Sequence, residues 1–186
     1  QHAHLPQLHL DDLSDIPFTR DVVGLELYQL RARVRAATGD LYAATCPHQV
    51  DYERYNDEHL ELGQPIFVQA QPGERSDQVA EACRRGDAFR QICAIARQRG
   101  GLVIHPYMGT NSVWQLAEDV QTAAQVPVAV LAPMPAVTTL ANNKFHLAEL
   151  VIDNLDPGWV VPSSSGTDAE TLTTSLIDLA AVHPRG

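Results

Sequence analysis

The sequence predicts an α/β fold: an open parallel sheet of about four strands with helices on both faces, followed by a C-terminal helical extension. Two apolar segments, residues 102–105 and 126–133, show no alternation of polar and apolar side chains. Strands that are apolar on both sides are typical of a helix-covered parallel sheet. Helical segments also separate the strands by the dozen or more residues that parallel crossovers need. These observations indicate a doubly wound, Rossmann-like sheet.

The first half of the chain contains two of the predicted strands. Residues 1–20 open on a His-rich, aperiodic stretch, and we expect them to form a flexible lead-in. A helix is predicted from Asp21, with its C-terminal cap at Gly39. Its apolar face comprises Val23, Leu27, Leu30 and Val34. Residues 41–45 and 65–70 are predicted strands, joined by an acidic connection with about one helical turn.

Helical periodicity continues between and after the remaining strands. One helix spans residues 76–85, and the next is capped by Asp87. Spacings of three and four residues place two apolar faces toward the core. These faces comprise Phe89, Ile92, Cys93 and Ala96 in one helix, and Val113, Leu116, Val120 and Ala124 in another. Residues 21–142 therefore form the predicted sheet domain.

The C-terminal part is predicted to be mainly helical. A short helix lies near residues 136–141, and another begins at Asn143. Residues 159–162 form a short extended segment, and the capping box at residues 167–170 opens the last helix. In the helix after Asn143, the residues expected to face inward are Leu147, Leu150, Val151 and Leu155.

Composition limits the classes of partner and compartment. The net charge of -10 disfavours nucleic acid, whose phosphates such a field repels. No apolar run is long enough to span a membrane. Cys46, Cys83 and Cys93 match no CxxC spacing, so we expect free buried thiols and a cytoplasmic protein. Lys144 is the single lysine, and the chain offers one ammonium group for chemistry.

The most suggestive site is the loop that follows the strand at residues 102–105. Ligands of open parallel sheets bind beyond the carboxyl ends of the strands. Here Gly109 allows a close backbone approach, and Thr110 and Asn111 offer polar groups at a helix N-terminus, which favours an anion. With Tyr107, these residues are the predicted substrate-binding set. The alternative is that Asn111 or Ser112 only caps its own helix.

The other groups of polar residues are weaker candidates for a functional site. The acidic residues between 51 and 61 are typical of a solvated surface, although they could receive a cationic amine. Cys46 and His48 are neighbours in sequence, which says little about catalytic geometry. His2, His4 and His9 lack a carboxylate or cysteine at ligand spacing. Phosphate-binding glycine motifs and the hydrolase and metalloprotease signatures are absent, which disfavours a dinucleotide dehydrogenase. No metal site or catalytic residue is predicted.

The order of the C-terminal pieces resembles the entry to an ATP-grasp carboxylate–amine ligase. Residues 126–133 are followed by a short helix, by Asn143-Lys144 opening another helix, by Val161-Pro162 and by a capped helix. In that superfamily a pre-ATP-grasp domain ends with an Asp/Asn-Lys pair, and a short strand and a helix then lead into the nucleotide-binding part. The loop of residues 105–111 is also similar to a substrate-facing loop of peptide-ligase members.

The resemblance implies a function and a division of the chain. It implies that ATP phosphorylates a carboxylate and that an amine displaces the phosphate. Lys144 would contact the nucleotide, and residues 143–186 would be the truncated start of the ATP-grasp region. ATP and Mg²⁺ would act in the full-length protein, with the glycine-rich loop and the magnesium ligands beyond Gly186. The expected partners are a small carboxylate or amino acid and the downstream ATP-grasp domain, and a homodimer is compatible with this reading.

Two alternatives to the ligase stay open at this point. One is a freestanding Rossmann-like module that binds a nucleotide or another small molecule without catalysis. The other is an enzyme of a different class, because a fold does not determine a function.

Overall fold

A computed structural model describes residues 5–16, 22–155, 157–159, 166 and 168–183. Within this part the chain forms five β-strands, seven α-helices and two 3-10 helices. It divides into two compact units, Gln1–Thr138 and Thr139–Gly186. The first unit contains the sheet, and the described elements of the second are helical.

The sheet is parallel throughout, and its strand order is β3-β2-β1-β4-β5. The strands are β1 Gln7–Leu10, β2 Leu41–Ala44, β3 Ile66–Gln69, β4 Leu102–Pro106 and β5 Val128–Val130. The predicted α/β class with an open, Rossmann-like parallel sheet is confirmed. The four strands predicted from the sequence are β2 to β5, so the sheet has one strand more than expected.

The additional strand, β1, lies in the middle of the sheet and within the predicted flexible lead-in. It pairs with β2 on one side and with β4 on the other. Leu8 and Leu10 are fully buried. The prediction of a loosely packed segment is therefore wrong for these residues. Four residues are too few for an alternation to stand out, and the surrounding histidines and aspartates conceal the two leucines.

The main core lies on the face of the sheet that three helices cover. These helices are α2 Val79–Cys83, α3 Gly86–Arg99 and α4 Asn111–Ala124. Leu8, Leu41 and Ile104 project from the strands into the same cluster. The predicted apolar faces of the two longer helices are confirmed, although Phe89 is only partly buried. The helix predicted at residues 76–85 is shorter than expected.

The opposite face is covered by a 3-10 helix, Leu25–Arg35, beside β1 and β2. The predicted apolar face of this segment is wrong, because Val23 is 99% exposed and Leu27 and Val34 are about half exposed. A 3-10 helix has three residues per turn, which turns a different set of side chains toward the sheet. The residues buried there are Gln29, Ala32 and Arg33. The helix ends at Arg35, and Gly39 lies in the following turn.

Helix α1, Val50–Glu58, occupies the acidic connection and is longer than the single turn expected. Arg33 is fully buried, and its Nε donates to Glu53 Oε2 at 2.6 Å. Tyr42 donates its hydroxyl hydrogen to the other oxygen of Glu53. Asp51, in contrast, forms an exposed ion pair with Arg54. One acid of the cluster therefore stabilises the fold, and another lies in solvent.

The second unit begins within helix α5, Pro135–Asn142, and continues with α6 and α7. Helix α6 is Lys144–Asn154, a 3-10 turn is Pro157–Trp159, and α7 is Ala169–Val182. Asn143 and Asp168 cap the two helices through their side chains. The last predicted capping box includes Thr167, which lies outside the described residues.

The prediction of an inward apolar face on α6 is wrong. Leu147, Leu150 and Leu155 are between 42% and 62% exposed. None of the described residues of α5, α6 or α7 is buried. The predicted extended segment begins at Trp159, which instead ends a 3-10 turn, and its remaining residues 160–162 lie outside the described part.

The three cysteines are free and buried, as predicted. Burial raises the pKa of each thiol, that of Cys83 to about 12. None of the helices in the described part of the chain has both the length and the apolar character that crossing a membrane requires.

Candidate functional site

The strand order creates a switch point between β1 and β4. From β1 the chain proceeds to β2 and β3 on one side, and it then returns to β4 and β5 on the other. In open parallel sheets, ligands bind beyond the carboxyl ends of the strands at such a point. The residues that follow β1 and β4 therefore form the candidate site.

Asp11 and Tyr107 leave the sheet side by side at this edge. Leu10 of β1 is in register with Pro106 of β4, and the Tyr107 N–H donates to the Leu10 carbonyl at 3.0 Å. The Asp11 carboxylate is 1% exposed. Arg31 Nε donates to its Oδ2 at 3.2 Å, and Arg35 Nη2 donates to its Oδ1. Burial raises the pKa of Asp11, and the two guanidinium charges act against that shift.

Arg31 connects the buried carboxylate to two aromatic rings. Its Cζ lies 5.0 Å from the ring centroid of Tyr28 and 4.9 Å from that of Tyr107. Both distances are within the range of cation–π attraction. Nε also donates to the Tyr28 carbonyl at 3.1 Å, and the side chain is 44% exposed. We call Asp11, Arg31, Arg35 and Tyr107 the switch-point cluster.

Asp12 has a structural role beside this cluster. Its Oδ2 accepts from the Ala80 N–H at 2.8 Å, and its Oδ1 accepts from the Ser14 N–H at 3.1 Å. Burial raises the pKa of Asp12, and these hydrogen bonds oppose the rise. The fully buried side chain ties the loop after β1 to the first turn of α2.

The predicted substrate-binding loop lies at the same edge as the cluster. Tyr107 is half exposed and contacts Arg31. Gly109 is buried, and a Cβ there would collide with the Pro133 carbonyl oxygen. Thr110 is buried and caps α4, since its Oγ1 accepts from the Val113 N–H at 3.4 Å. The helix cap is thus Thr110 and not one of the two residues after it.

Asn111 and Lys144 are the other predicted site residues. Asn111 is the first residue of α4, and its side chain is exposed. Lys144 is the first residue of α6 in the second unit, and it is also exposed. Asn143, which precedes it, caps the helix by accepting from the His146 N–H at 3.2 Å.

Two histidines lie next to each other on adjacent central strands. The ring centroids of His9 and His105 are 5.0 Å apart. His9 is 2% exposed, and neither of its ring nitrogens has a hydrogen-bond partner among the residues that the structure describes. Its Nε2 lies 3.7 Å from Asp40 Oδ2, which is too long for a hydrogen bond. Burial, followed by the His105 charge, lowers the pKa of His9 to about 4.

The remaining candidates do not form a reactive centre. Cys46 is buried, and burial raises the pKa of its thiol, which disfavours the thiolate needed for nucleophilic attack. His48 stacks on Phe67 with centroids 5.0 Å apart. No cluster of three metal-ligating side chains occurs among the described residues. His2 and His4 lie outside them.

Sequence reasoning missed three residues of the cluster, Asp11, Arg31 and Arg35. Asp11 was assigned to a lead-in, and the two arginines lay on a helix whose inward face was misassigned. A signal was present: Leu8 and Leu10 alternate and are followed directly by an acidic pair, as at the end of a strand. The two arginines carry no comparable signal, because their four-residue spacing brings side chains together on an α-helix and this segment is a 3-10 helix.

Comparison with protein-family models, with curated proteins and with solved structures found no match for this chain. The geometry of the site therefore carries the functional argument. The switch-point cluster combines two cations, a buried carboxylate and an exposed aromatic ring. Such a set is suited to binding and orienting a small polar molecule.

Proposed function

We propose that this chain is the N-terminal, substrate-binding part of an ATP-dependent carboxylate–amine ligase. The ligase joins a carboxylic acid to an amine or amino acid through an acyl phosphate, and this chain is inactive alone. The observation that carries the proposal is the parallel sheet, whose switch point places the loop of residues 107–111 beside a polar cluster. This is the edge at which such a domain would present a substrate.

The start of α6 adds support from the second unit. Asn143 caps the helix, and the ammonium-bearing side chain of Lys144 is exposed at its first position. A flexible ammonium suits contact with phosphate groups, because it acts as a movable point charge. This agrees with the nucleotide contact that the resemblance implies for Lys144.

The test uses the longest natural reading frame that contains this chain. Its product is incubated with ATP, Mg²⁺, a panel of carboxylic acids and hydroxylamine, which traps an acyl phosphate as a hydroxamate. We expect hydroxamate and ADP that both depend on the acid. The proposal fails if the reading frame encodes no strand lysine and glycine-rich loop after this region, or if the isolated chain turns over a substrate without ATP.

A second candidate is a freestanding module that binds a small molecule without catalysis. It is favoured by the compactness of Gln1–Thr138, which contains every residue of the switch-point cluster. A thermal-shift series with ATP, AMP and amino acids on the 186-residue chain tests it. Stabilisation by a nucleotide, together with no ligation by the natural product, would favour this candidate over the ligase.

A further inference from the structure

We propose that Arg31 binds the carboxylate group of the substrate at the edge formed by β1 and β4. The identity of the ligand rests on the proposed function, whereas the site rests on the geometry of the first unit alone. The inference assigns a recognition residue and a ligand class to the switch-point cluster.

Arg31 has hydrogen-bond donors that the described residues leave unused. A guanidinium carries five N–H groups. The Nε–H is shared between Asp11 Oδ2 and the Tyr28 carbonyl. No acceptor for Nη1 or Nη2 occurs among the residues that the structure describes, and the side chain is 44% exposed. Paired guanidinium N–H groups match the two oxygens of a carboxylate.

The two arginines share one carboxylate partner. Arg31 and Arg35 both contact Asp11, whereas the neighbouring Asp12 accepts its hydrogen bonds from Ala80 and Ser14. The chain as a whole carries a charge of -10. An exposed guanidinium that shares its carboxylate partner with a second arginine is suited to a further monoanionic group. A carboxylate matches it in charge, whereas a phosphate carries about 1.5 to 2 negative charges at neutral pH.

The Arg31 side chain is held in place by its neighbours. Asp11 is buried and accepts from both arginines, which fixes the edge of the guanidinium that carries Nε. The rings of Tyr28 and Tyr107 lie within 5.0 Å of its Cζ. Because the group is already oriented, binding a carboxylate costs less side-chain entropy than it would at a free surface arginine. Tyr107, being half exposed, also offers its ring to the ligand.

The experiment is a side-chain NMR titration of the ¹⁵N-labelled 186-residue chain. The probes are N-acetylalanine, its uncharged amide N-acetylalaninamide, and inorganic phosphate. The Nε–H signal of Arg31 is identified by its disappearance in Arg31→Lys. We expect a saturable shift with N-acetylalanine and none with the amide. Arg31→Gln lacks the Nε–H signal and is followed through the backbone N–H signal of Tyr107 at the same edge. It should bind N-acetylalanine about tenfold or more weakly, which is the loss expected for one hydrogen bond to a charged group.

Arg90→Gln is the matched control, because Arg90 is an exposed arginine on α3 that pairs with Asp87. Its affinity for N-acetylalanine should equal that of the wild type. The proposal is overturned if the wild-type signal shows no saturable shift up to about 50 mM probe, a range that would still detect binding weaker than millimolar. Equal affinities in wild type and Arg31→Gln, or tighter binding of phosphate than of N-acetylalanine, also overturn it. The wild-type titration decides even if a variant does not fold.

The two proposals fail in different ways. If N-acetylalanine binds at Arg31 but the natural reading frame performs no ATP-dependent ligation, the site stands and the ligase is wrong. If ligation occurs and Arg31→Gln leaves the KM for the carboxylic acid unchanged, the ligase stands and the assignment of Arg31 is wrong.

Discussion

The imidazole of His9 lies at the centre of the sheet with 2% of its surface exposed, and neither nitrogen forms a hydrogen bond within the described part of the chain. Burial and the neighbouring His105 lower its pKa from 6.5 to about 4, against the opposing attraction of Asp40. Between these pH values the unfolded chain binds a proton that the folded chain does not. The free energy of unfolding therefore falls as the pH falls through this window, by about 3 kcal/mol in total.

His9→Leu should remove this component of the pH dependence. At pH 7 we expect the variant to be at least as stable as the wild type, because two unpaired buried nitrogens are removed. Between pH 6.5 and 4 its free energy of unfolding should fall by about 3 kcal/mol less than that of the wild type. Urea unfolding at several pH values measures both. His59→Gln, at an exposed position, should retain the wild-type profile, and identical profiles for all three chains would contradict the prediction.

Gly109 joins the loop after β4 to the segment after β5. A Cβ at this position would collide with the Pro133 carbonyl oxygen and come within 3.1 Å of Ala132 Cβ. Gly109→Ala should therefore displace backbone and reduce the free energy of unfolding by about 1–3 kcal/mol. Thermal or urea unfolding measures the loss.

Gly73→Ala is the control for this substitution. Its Cβ would meet only the flexible end of the Arg85 side chain, at 2.9 Å. We expect a change of less than about 0.5 kcal/mol there, as for most surface substitutions. If both glycine variants have the same stability, the close approach at Gly109 does not constrain the loop.

Strand β1 determines whether the sheet is continuous. It pairs with β2 and with β4, and Leu8 packs into the main core with no exposed surface. Leu8→Ala should cost about 2–5 kcal/mol, which is the range for truncating a buried leucine. Leu5→Ala, just outside the strand and 38% exposed, should cost less than about 1 kcal/mol. Urea denaturation compares the two, and equal losses would place β1 outside the cooperative core.

For the segment from Leu25 to Arg35, the sequence predicts a helix but not the side chains that the helix buries. Its helical character was predicted, but it folds as a 3-10 helix. Its own residues Gln29 and Arg33 are buried against the sheet, and each forms hydrogen bonds to other segments of the chain. Buried polar side chains of this kind are stable because every partner is supplied by the tertiary structure.

The molecule as a whole divides into two compact units, and the described residues place the buried core in the first. The buried apolar cluster lies entirely in Gln1–Thr138. In the second unit the described helices bury none of their residues. A unit without a buried core gains too little from the hydrophobic effect to offset its loss of chain entropy.

A fragment of residues 1–142, which ends with α5, should therefore fold alone. We expect it to keep a cooperative urea transition and the circular dichroism of an α/β fold. A fragment of residues 139–186 should show a non-cooperative change in helicity. Calorimetry and circular dichroism of both fragments test this. A cooperative transition in the short fragment, or none in the long one, would contradict the prediction.

Local pattern was sufficient for several parts of the fold. The strand at 102–106 and the apolar faces of α3 and α4 were predictable, because apolar residues follow one another in the strand and recur along one side of each helix. The strand predicted at 126–133 as apolar on both sides is shorter, spans Val128–Val130 at the edge of the sheet, and leaves Ala129 exposed. Tyr107 at the candidate site was also predictable, since it follows a strand whose identity was clear. The role of Gly109 in packing was not, because Pro133 is distant in sequence.

The sequence by itself determined the α/β class, the parallel pairing, the free buried cysteines and the loop after β4. Only the tertiary structure decided that residues 7–10 are the central strand and that Asp11 meets Arg31, Arg35 and Tyr107. The physical reason is the separation along the chain between the residues that stabilise each feature. Periodicity and composition report how each segment contacts an average core or solvent. A four-residue strand and an ion-paired cluster are instead stabilised by partners that lie twenty or more residues away along the chain.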